Sequence, residues 1–226
     1  MSSGCAGTSY AVCEDFESAT VGSAPSGWTV KSGWGNNGNV APTVQEDQAH
    51  WGNQALKSSS DAPGQGRLEK ALSGSLAQAH WGRLFYKVKT PVPLKSGGGY
   101  LHLTFAAVQG ADEGRVVDTV EDPSGKHQFL FNVPDDSCCT SSSYEWRFDD
   151  GWHCAEWYVN ASEQSYRFFI DGSEVTAIAF AHNSGSKLST LSAVSVGSMF
   201  YVSPTTAFTS WIDDVALDSQ KIGCVK

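Results

Sequence analysis

The sequence lacks the features that define several common classes of protein. No run of apolar residues is long enough to cross a bilayer. No CxxC pair occurs, which argues against zinc fingers and thioredoxin-like redox chemistry. No segment with helical periodicity extends beyond two turns, and no internal repeat is visible. These absences favour a globular protein built from strands and turns.

Basic residues are also scarce relative to acidic ones. Lys and Arg number 15 against 24 Asp and Glu, which gives a formal net charge of −9. This balance argues against nucleic acid and anionic membranes as partners, and it counts slightly against a polyanionic substrate. We therefore expect neither a nucleic-acid nor a membrane partner, and we expect a monomer.

The composition is typical of a β protein. Glycine (23), tryptophan (8), tyrosine (7) and phenylalanine (11) are plentiful, as expected for aromatic-rich strands joined by short turns. A chain of 226 residues suits one all-β domain. We predict a flexible leader over residues 1–10 and a single domain over residues 11–226.

The cysteines indicate disulfides. There are six, an even number, and several lie beside strand-like sequence rather than at metal-binding spacing. Disulfides imply an oxidising compartment, so we expect a secreted protein. The Met-Ser-Ser-Gly-Cys start suggests that a signal peptide has been removed, although Ser3-Gly4-Cys5 also resembles the end of a lipoprotein signal.

About a dozen short strands are predicted from apolar alternation and turn residues. The clearest is YLHLTFAAV (100–108), in which Leu101, Leu103 and Phe105 share one face. Asp171-Gly172 is a strong tight-hairpin signal. Other predicted strands include 11–17, 28–31, 67–73, 80–90, 126–133 and 152–160. This spacing predicts an all-β fold, a β-sandwich of jelly-roll type.

The segment TSWIDDVALDSQKIGC (209–224) is predicted to be a closing strand. Strict alternation would send Asp213 and Asp214 to opposite faces, so at least one would face inward unless the strand is twisted or bulged. A buried carboxylate is costly unless it is paired or bound to a metal. The alternative is an edge strand with solvated acids.

Four stretches together resemble one family. They are CEDFES (13–18), AHWGNQALK (49–57), WHCAEWYVN…RFFIDGSEV (152–175) and WIDDVALDSQKIGC (211–224). In that order they resemble the cellulose-induced proteins that cellulolytic fungi secrete with cellulases, and their bacterial relatives. The resemblance implies a concanavalin A-like jelly roll with a concave cleft, similar to glucuronan and alginate lyases, and hence a carbohydrate partner.

The resemblance also implies a structural calcium ion. Its ligands would be Glu17, the turn from Trp51 to Gln54, and Asp213 with Asp214 in support. Calcium takes six to eight oxygens, and carboxylate, amide and backbone carbonyl groups together can supply them. Gln54 stands where the family has Asn and is a longer arm. The alternative is that these are ordinary surface acids.

Family cysteine positions imply a disulfide between Cys154 and Cys224, with Cys5–Cys13 as a second bridge. Adjacent Cys138 and Cys139 would then bond to each other or pair between molecules.

Candidate catalytic residues follow from the chemistry of the related lyases. β-Elimination on a uronate needs a donor that neutralises the carboxylate, a base for the C5 proton and an acid for the leaving oxygen. His102 faces away from the apolar side of its strand, and Tyr201 aligns with a family tyrosine. Each could equally be a structural residue.

The family's His-x-Arg motif is not reproduced in KHQFLFNV (126–133). Core burial favours the register that buries Phe129 and Phe131 and turns Gln128 to the cleft. Gln128 is then the best neutralising donor, with His127 at the strand edge. The missing cation could be Arg83, Arg115 or Arg147.

We therefore predict a secreted polysaccharide lyase that acts on a uronic-acid-containing glycan. The main alternative is a non-catalytic carbohydrate-binding module, and a calcium-stapled structural domain is a third. No matched carboxylate pair supports a glycosidase, and no GxSxG motif supports Ser-His-Asp hydrolysis.

Overall fold

The computed structural model describes residues 4–5, 7–31, 41–133 and 140–224. In these ranges the chain forms two antiparallel sheets that pack as a sandwich. This confirms the all-β, jelly-roll-like fold. Cys138 and Cys139 lie outside the described residues.

The larger sheet has eight strands. Seven follow the order β12-β11-β10-β6-β14-β4-β3, and β1 pairs with β14. Their bounds are β1 Val12–Glu14, β3 Thr43–Gln45, β4 Ala55–Ser60, β6 Ala79–Val88, β10 Trp152–Asn160, β11 Ser165–Ile170, β12 Ser173–Glu174 and β14 Phe208–Asp218.

The smaller sheet has six strands in the order β2-β5-β13-β7-β8-β9. Their bounds are β2 Thr29–Val30, β5 Gly64–Ala71, β7 Leu101–Gln109, β8 Glu113–Glu121, β9 His127–Asn132 and β13 Ala193–Phe200. Three single-turn 3₁₀ helices span Gly74–Ala77, Thr176–Ile178 and Ser184–Ser186. No helix among the described residues has the length and apolar character needed to cross a membrane.

The core lies between the sheets and is rich in aromatic residues. Leu101, Leu103 and Phe105 of β7 all enter it, as their alternation predicts. Trp157 of β10 is fully buried. It packs over Gly82, where an added Cβ would lie 2.2 Å from the indole ring, so only glycine leaves room for this tryptophan.

β14 is a central strand and not an edge strand. It pairs with β6 on one side and with β4 and β1 on the other. The alternative of solvated acids is therefore wrong, because Asp213 and Asp214 are both fully buried. A bulge interrupts the register between Asp213 and Ala216, and Asp214 adopts a positive φ of 49°.

The register of β9 is the one that core burial favours. Phe129 and Phe131 are buried in the core, whereas Gln128, Leu130 and Asn132 alternate with them and are partly exposed. The predicted register of this strand, with Phe129 and Phe131 in the core, is confirmed.

Turn chemistry explains two further strand boundaries. Asp171 and Gly172 both have positive φ values, 49° and 82°, as a two-residue hairpin between β11 and β12 requires. The first strand ends at Glu14, short of the predicted residue 17, because Phe16 is left-handed at φ 60° and its amide donates to the Glu14 carboxylate at 3.0 Å.

The two disulfides that the sequence suggests are present. Cys154 is bonded to Cys224, and Cys5 to Cys13. The first fixes the C-terminal segment to β10 of the larger sheet, and the second ties the start of the chain to β1. Such bonds fit a protein that folds in an oxidising compartment.

Candidate functional site

The outer face of the smaller sheet, directed away from the core, carries a connected set of polar side chains. Directly opposed residues in neighbouring strands point to the same face, and His102 opposes Val120, which in turn opposes Gln128. Since Phe129 and Leu103 lie on the core side, His102 and Gln128 share the outer face. The structure thus places two of the predicted catalytic residues on one surface.

His102 is held by a buried carboxylate. Its Nε2 lies 2.8 Å from Asp118 Oδ2, and Thr104 donates its hydroxyl to Asp118 Oδ1 at 2.6 Å. The Asp118 side chain is fully buried, whereas that of His102 is 24% exposed. In the tautomer in which Nε2 donates to this carboxylate, the Nδ1 lone pair is left for a substrate. This arrangement suits a general base whose ring is oriented by a third group.

Tyr201 lies against His102, with their ring centroids 4.5 Å apart. The Arg115 guanidinium lies over the Tyr201 ring, 4.2 Å from the ring centroid. Burial lowers the pKa of Arg115, and nearby Asp118 and Glu113 partly offset this effect. We call His102, Thr104, Arg115, Asp118 and Tyr201 the His102 cluster.

The polar face extends to β5, where it includes a second arginine, Arg67. Arg67 is 2% exposed and pairs with Glu113 at 2.9 Å. It also donates to Gln65 at 2.6 Å and to Ser195 at 3.2 Å. Burial would raise the pKa of Glu113, but Arg67 and Arg115 outweigh it and hold the pKa below its ordinary value. Sequence reasoning missed Arg67, Glu113 and Asp118.

One signal could have found Asp118. It is a lone acid within the apolar strand sequence VVDTV, and such an acid is costly to bury without a partner. Its partners, however, come from β7, and the pairing of β7 with β8 fixes which residues they are.

The other predicted catalytic residues lie apart from the cluster. Gln128 is two strands away from His102, roughly 10 Å at the usual strand spacing. Arg83 belongs to β6 of the other sheet, where its guanidinium lies 5.4 Å from the Phe85 ring centroid and donates to the Gly223 carbonyl. Of the three candidate arginines, the structure brings Arg115 to His102 and does not bring Arg83.

His127 is directed away from the outer face. It shares the core side of β9 with Phe129, is 2% exposed, and stacks on Phe148 with centroids 4.1 Å apart. Neither ring nitrogen has a hydrogen-bond partner among the described residues. Burial lowers its pKa to about 3. A neutral, enclosed imidazole of this kind cannot exchange protons with a substrate on the opposite face.

The predicted calcium ligands meet at one turn of the larger sheet. Asp213 Oδ2 accepts the amides of His50 at 2.7 Å and Trp51 at 3.3 Å. Glu17 Oε1 accepts the amides of Asn53 at 2.8 Å and Gln54 at 2.7 Å. Gly52 lies so close that an added Cβ would approach the Glu17 carboxyl carbon to 2.4 Å.

A buried pair of acidic side chains lies beside this turn. Asp213 and Asp214 are buried side by side, which raises the pKa of Asp213 to about 8 through burial first and then Asp214. His50 Nδ1 contacts Asp214 Oδ2 at 2.8 Å, but the buried Asp214 Oδ1 has no partner in the described part of the chain. No three His, Cys, Asp or Glu side chains converge among these residues, so a calcium ion would also need amide and backbone oxygens.

Fold and site together define a jelly-roll-like β-sandwich with a charged cluster on the outer face of one sheet. Among solved structures, a cellulose-induced protein, Cip1, aligns with a TM-score of 0.64 and 16% identity, over 95% of this chain and 100% of that one.

Other solved structures share the architecture. A sialidase aligns with a TM-score of 0.56 and 11% identity over 92% of this chain and 18% of its own. The globular domain of T. cruzi calreticulin aligns at 0.55 and 13%, over 92% and 88%. No family model matches the chain, and no curated protein matches it. At these identities the likeness shows a Cip1-like fold.

Proposed function

We propose that this protein acts on polysaccharide as a lyase that cleaves a uronic-acid-containing glycan by β-elimination at the His102 cluster. The observation that carries the proposal is the contact of His102, held by Asp118, with Tyr201, which is stacked on Arg115. A base, an acid and a cation thus lie side by side. Two solved structures with this fold, the cellulose-induced protein and the sialidase, have names that concern carbohydrate.

Each group has a defined part in the reaction. Arg115 binds the uronate carboxylate, so that charge developing at C5 spreads onto a fixed cation. His102 Nδ1 takes the C5 proton, and the electron pair forms a C4–C5 double bond as the C4–O bond breaks. The Tyr201 hydroxyl protonates the departing oxygen. Asp118 is a positioning residue that fixes the ring and tautomer of His102.

The alternative is a non-catalytic carbohydrate-binding module. One observation favours it: Glu113 and Asp118 sit beside Arg67 and Arg115, so their charges balance and the attraction for a polyanion is reduced. The net charge of −9 acts in the same direction.

We also propose that the 50–54 turn binds a structural calcium ion. Glu17, Gln54 and Asp213 would hold it, with Asp214 and the Trp51 carbonyl in support. The ion would supply positive charge to a buried acidic pair and join the chain segments next to β1, β4 and β14 of the larger sheet.

The lyase proposal is tested by mixing purified protein with glucuronan or alginate and following the ultraviolet absorbance of the unsaturated product. His102→Ala and Tyr201→Phe should each reduce the rate strongly. Arg115→Lys should reduce it about a hundredfold, the usual cost of losing one charge-stabilising donor. Gln128→Ala should also reduce the rate about a hundredfold if Gln128 is the donor that neutralises the carboxylate.

Arg147→Lys is the matched control, because Arg147 is exposed and bonds the Ser124 carbonyl away from the cluster. It should leave the rate unchanged. Absence of ultraviolet-absorbing product from every polyuronate, with retention of the protein on a polysaccharide gel, would refute the lyase and support the binding module.

A further inference from the structure

The larger sheet carries a cavity of about 320 Å³ that the His102 cluster does not include. Its wall contains His50, Phe85, Trp152, His153, Asp171 and the Cys154–Cys224 disulfide. Phe85 opposes Cys154 across β6 and β10, and it alternates with the core residue Tyr86, so this part of the wall lies on the outer face of the sheet. His153 opposes Tyr86 and lines the cavity at the start of β10. The cavity is therefore on the opposite side of the sandwich from His102. We call it the Trp152 cavity.

One side of the Trp152 cavity is aromatic. The His50 ring stacks on Phe85 with centroids 3.7 Å apart, and it lies 5.7 Å from Trp152 and 4.8 Å from Trp51. Trp152 is only partly buried, so part of its indole surface faces solvent. Small-molecule sites are typically concave, of this volume, and lined by aromatic groups with a few placed polar atoms.

The polar side is acidic and fixed in place. Asp171 Oδ1 accepts the Cys154 amide at 2.9 Å, and Oδ2 contacts His153 Nδ1 at 2.8 Å. His153 Nε2 contacts Asp149 Oδ1 at 3.0 Å. The side chains of Asp149 and Asp171 remain 64% and 53% exposed, so their oxygens can accept further hydrogen bonds. Hydrogen bonds from the imidazole to Asp171 and Asp149 raise the pKa of His153 to about 8.

We propose that the Trp152 cavity binds a neutral pyranose unit of a polysaccharide. A pyranose presents a face of C–H groups, which matches the aromatic side, and hydroxyl donors at its rim, which match carboxylate acceptors. Two carboxylates flank one imidazole, so the polar side stays negative even when His153 is protonated. Lys87 and Arg83 lie beside Trp152 and Phe85 on the aromatic side. The polar side therefore disfavours a uronate. This inference is independent of the lyase proposal, since it uses the other sheet.

The experiment measures binding of neutral gluco-, xylo- and manno-oligosaccharides to the full chain by calorimetry. At least one should bind, and Trp152→Ala should weaken it about tenfold or more, as truncation of an aromatic anchor does. Asp171→Asn should weaken it as well, and Asn tolerates the left-handed backbone at this position. Thermal melts check that both variants fold.

One control fixes the location. Trp81→Ala removes a partly buried tryptophan that packs with Tyr158 and Phe169 elsewhere on the same sheet. It should bind as the wild type does. No binding to any neutral probe overturns the proposal, as does loss in Trp81→Ala with retention in Trp152→Ala. An oligouronate that binds equally well through Trp152 overturns the assigned ligand class.

Discussion

His127→Leu separates a core histidine from a catalytic one. The imidazole is enclosed between Phe148 and Phe129, and both ring nitrogens are unsatisfied among the described residues. Leucine is similar in size and removes both polar atoms. At neutral pH the replacement should stabilise the fold by about 1 kcal/mol, because an unsatisfied buried polar group costs roughly that much.

The larger effect appears in acid. The pKa of His127 falls from 6.5 to about 3 on folding, so the unfolded chain takes up a proton that the folded chain refuses. Stability is therefore lost as the pH falls below 6.5, and the loss continues to about pH 3. At pH 5 the difference from the unfolded pKa is about 1.5 units at 1.36 kcal/mol per unit, or about 2 kcal/mol.

Urea unfolding of wild type and His127→Leu at pH 7 and pH 5 measures this directly. The stability gained by the variant should grow by about 2 kcal/mol between the two pH values. His182→Asn is the matched control, because His182 is exposed and asparagine tolerates its positive φ of 57°. It should not change the acid sensitivity. Buried His80, whose pKa burial lowers to about 4, contributes the same loss of stability in acid to all three proteins.

The same variant bears on function. Because His127 faces the core, His127→Leu should keep any polyuronate cleavage that His102→Ala removes. A folded variant without activity would refute the placement of the catalytic groups on the outer face. An unchanged stability difference between pH 7 and pH 5 would refute the buried neutral imidazole.

Two further predictions concern what fastens the chain to the larger sheet. Replacing Cys154 and Cys224 with serine opens a loop of 70 residues and should cost roughly 4.4 kcal/mol in the chain-entropy model, measured as a lower urea midpoint; an unchanged midpoint would contradict it. Removing calcium with a chelator should lower the melting temperature, since a ligand at a hundredfold excess over Kd stabilises by about 2.7 kcal/mol. Asp213→Ala should abolish that sensitivity, and an unchanged melt after verified metal removal would exclude the ion's stabilising role.

The fold could be predicted where burial decides. Alternation along β7 places Leu101, Leu103 and Phe105 in the core, and the Phe129–Phe131 pair fixes the register of β9. A one-residue slip would expose both phenylalanines, so the sequence tolerates only one register. Asp171-Gly172 specifies its turn because both residues accept positive φ.

The site could be predicted only in part, because it depends on strand order. Alternation shows that His102 and Gln128 avoid the core, but it does not show that β8 lies between them. That order supplies Asp118 and Arg115 to His102. Likewise, nothing local to Arg83 reveals that its strand belongs to the opposite sheet. Residues that act together here come from strands far apart in sequence, and only the sheet pairing identifies them.

Asp213 and Asp214 show how a local conflict can indicate a site before its geometry is known. Alternation demands opposite faces, yet both carboxylates contact His50 on one side of the sheet. The bulge resolves the conflict by placing Asp214 at φ 49°, a conformation that costs a non-glycine residue about 1 kcal/mol. Surrounding structure must compensate for this strain and for the burial of two carboxyl groups. The calcium ion proposed at this turn would offset the cost of burying the acidic pair, which is what the chelator experiment tests.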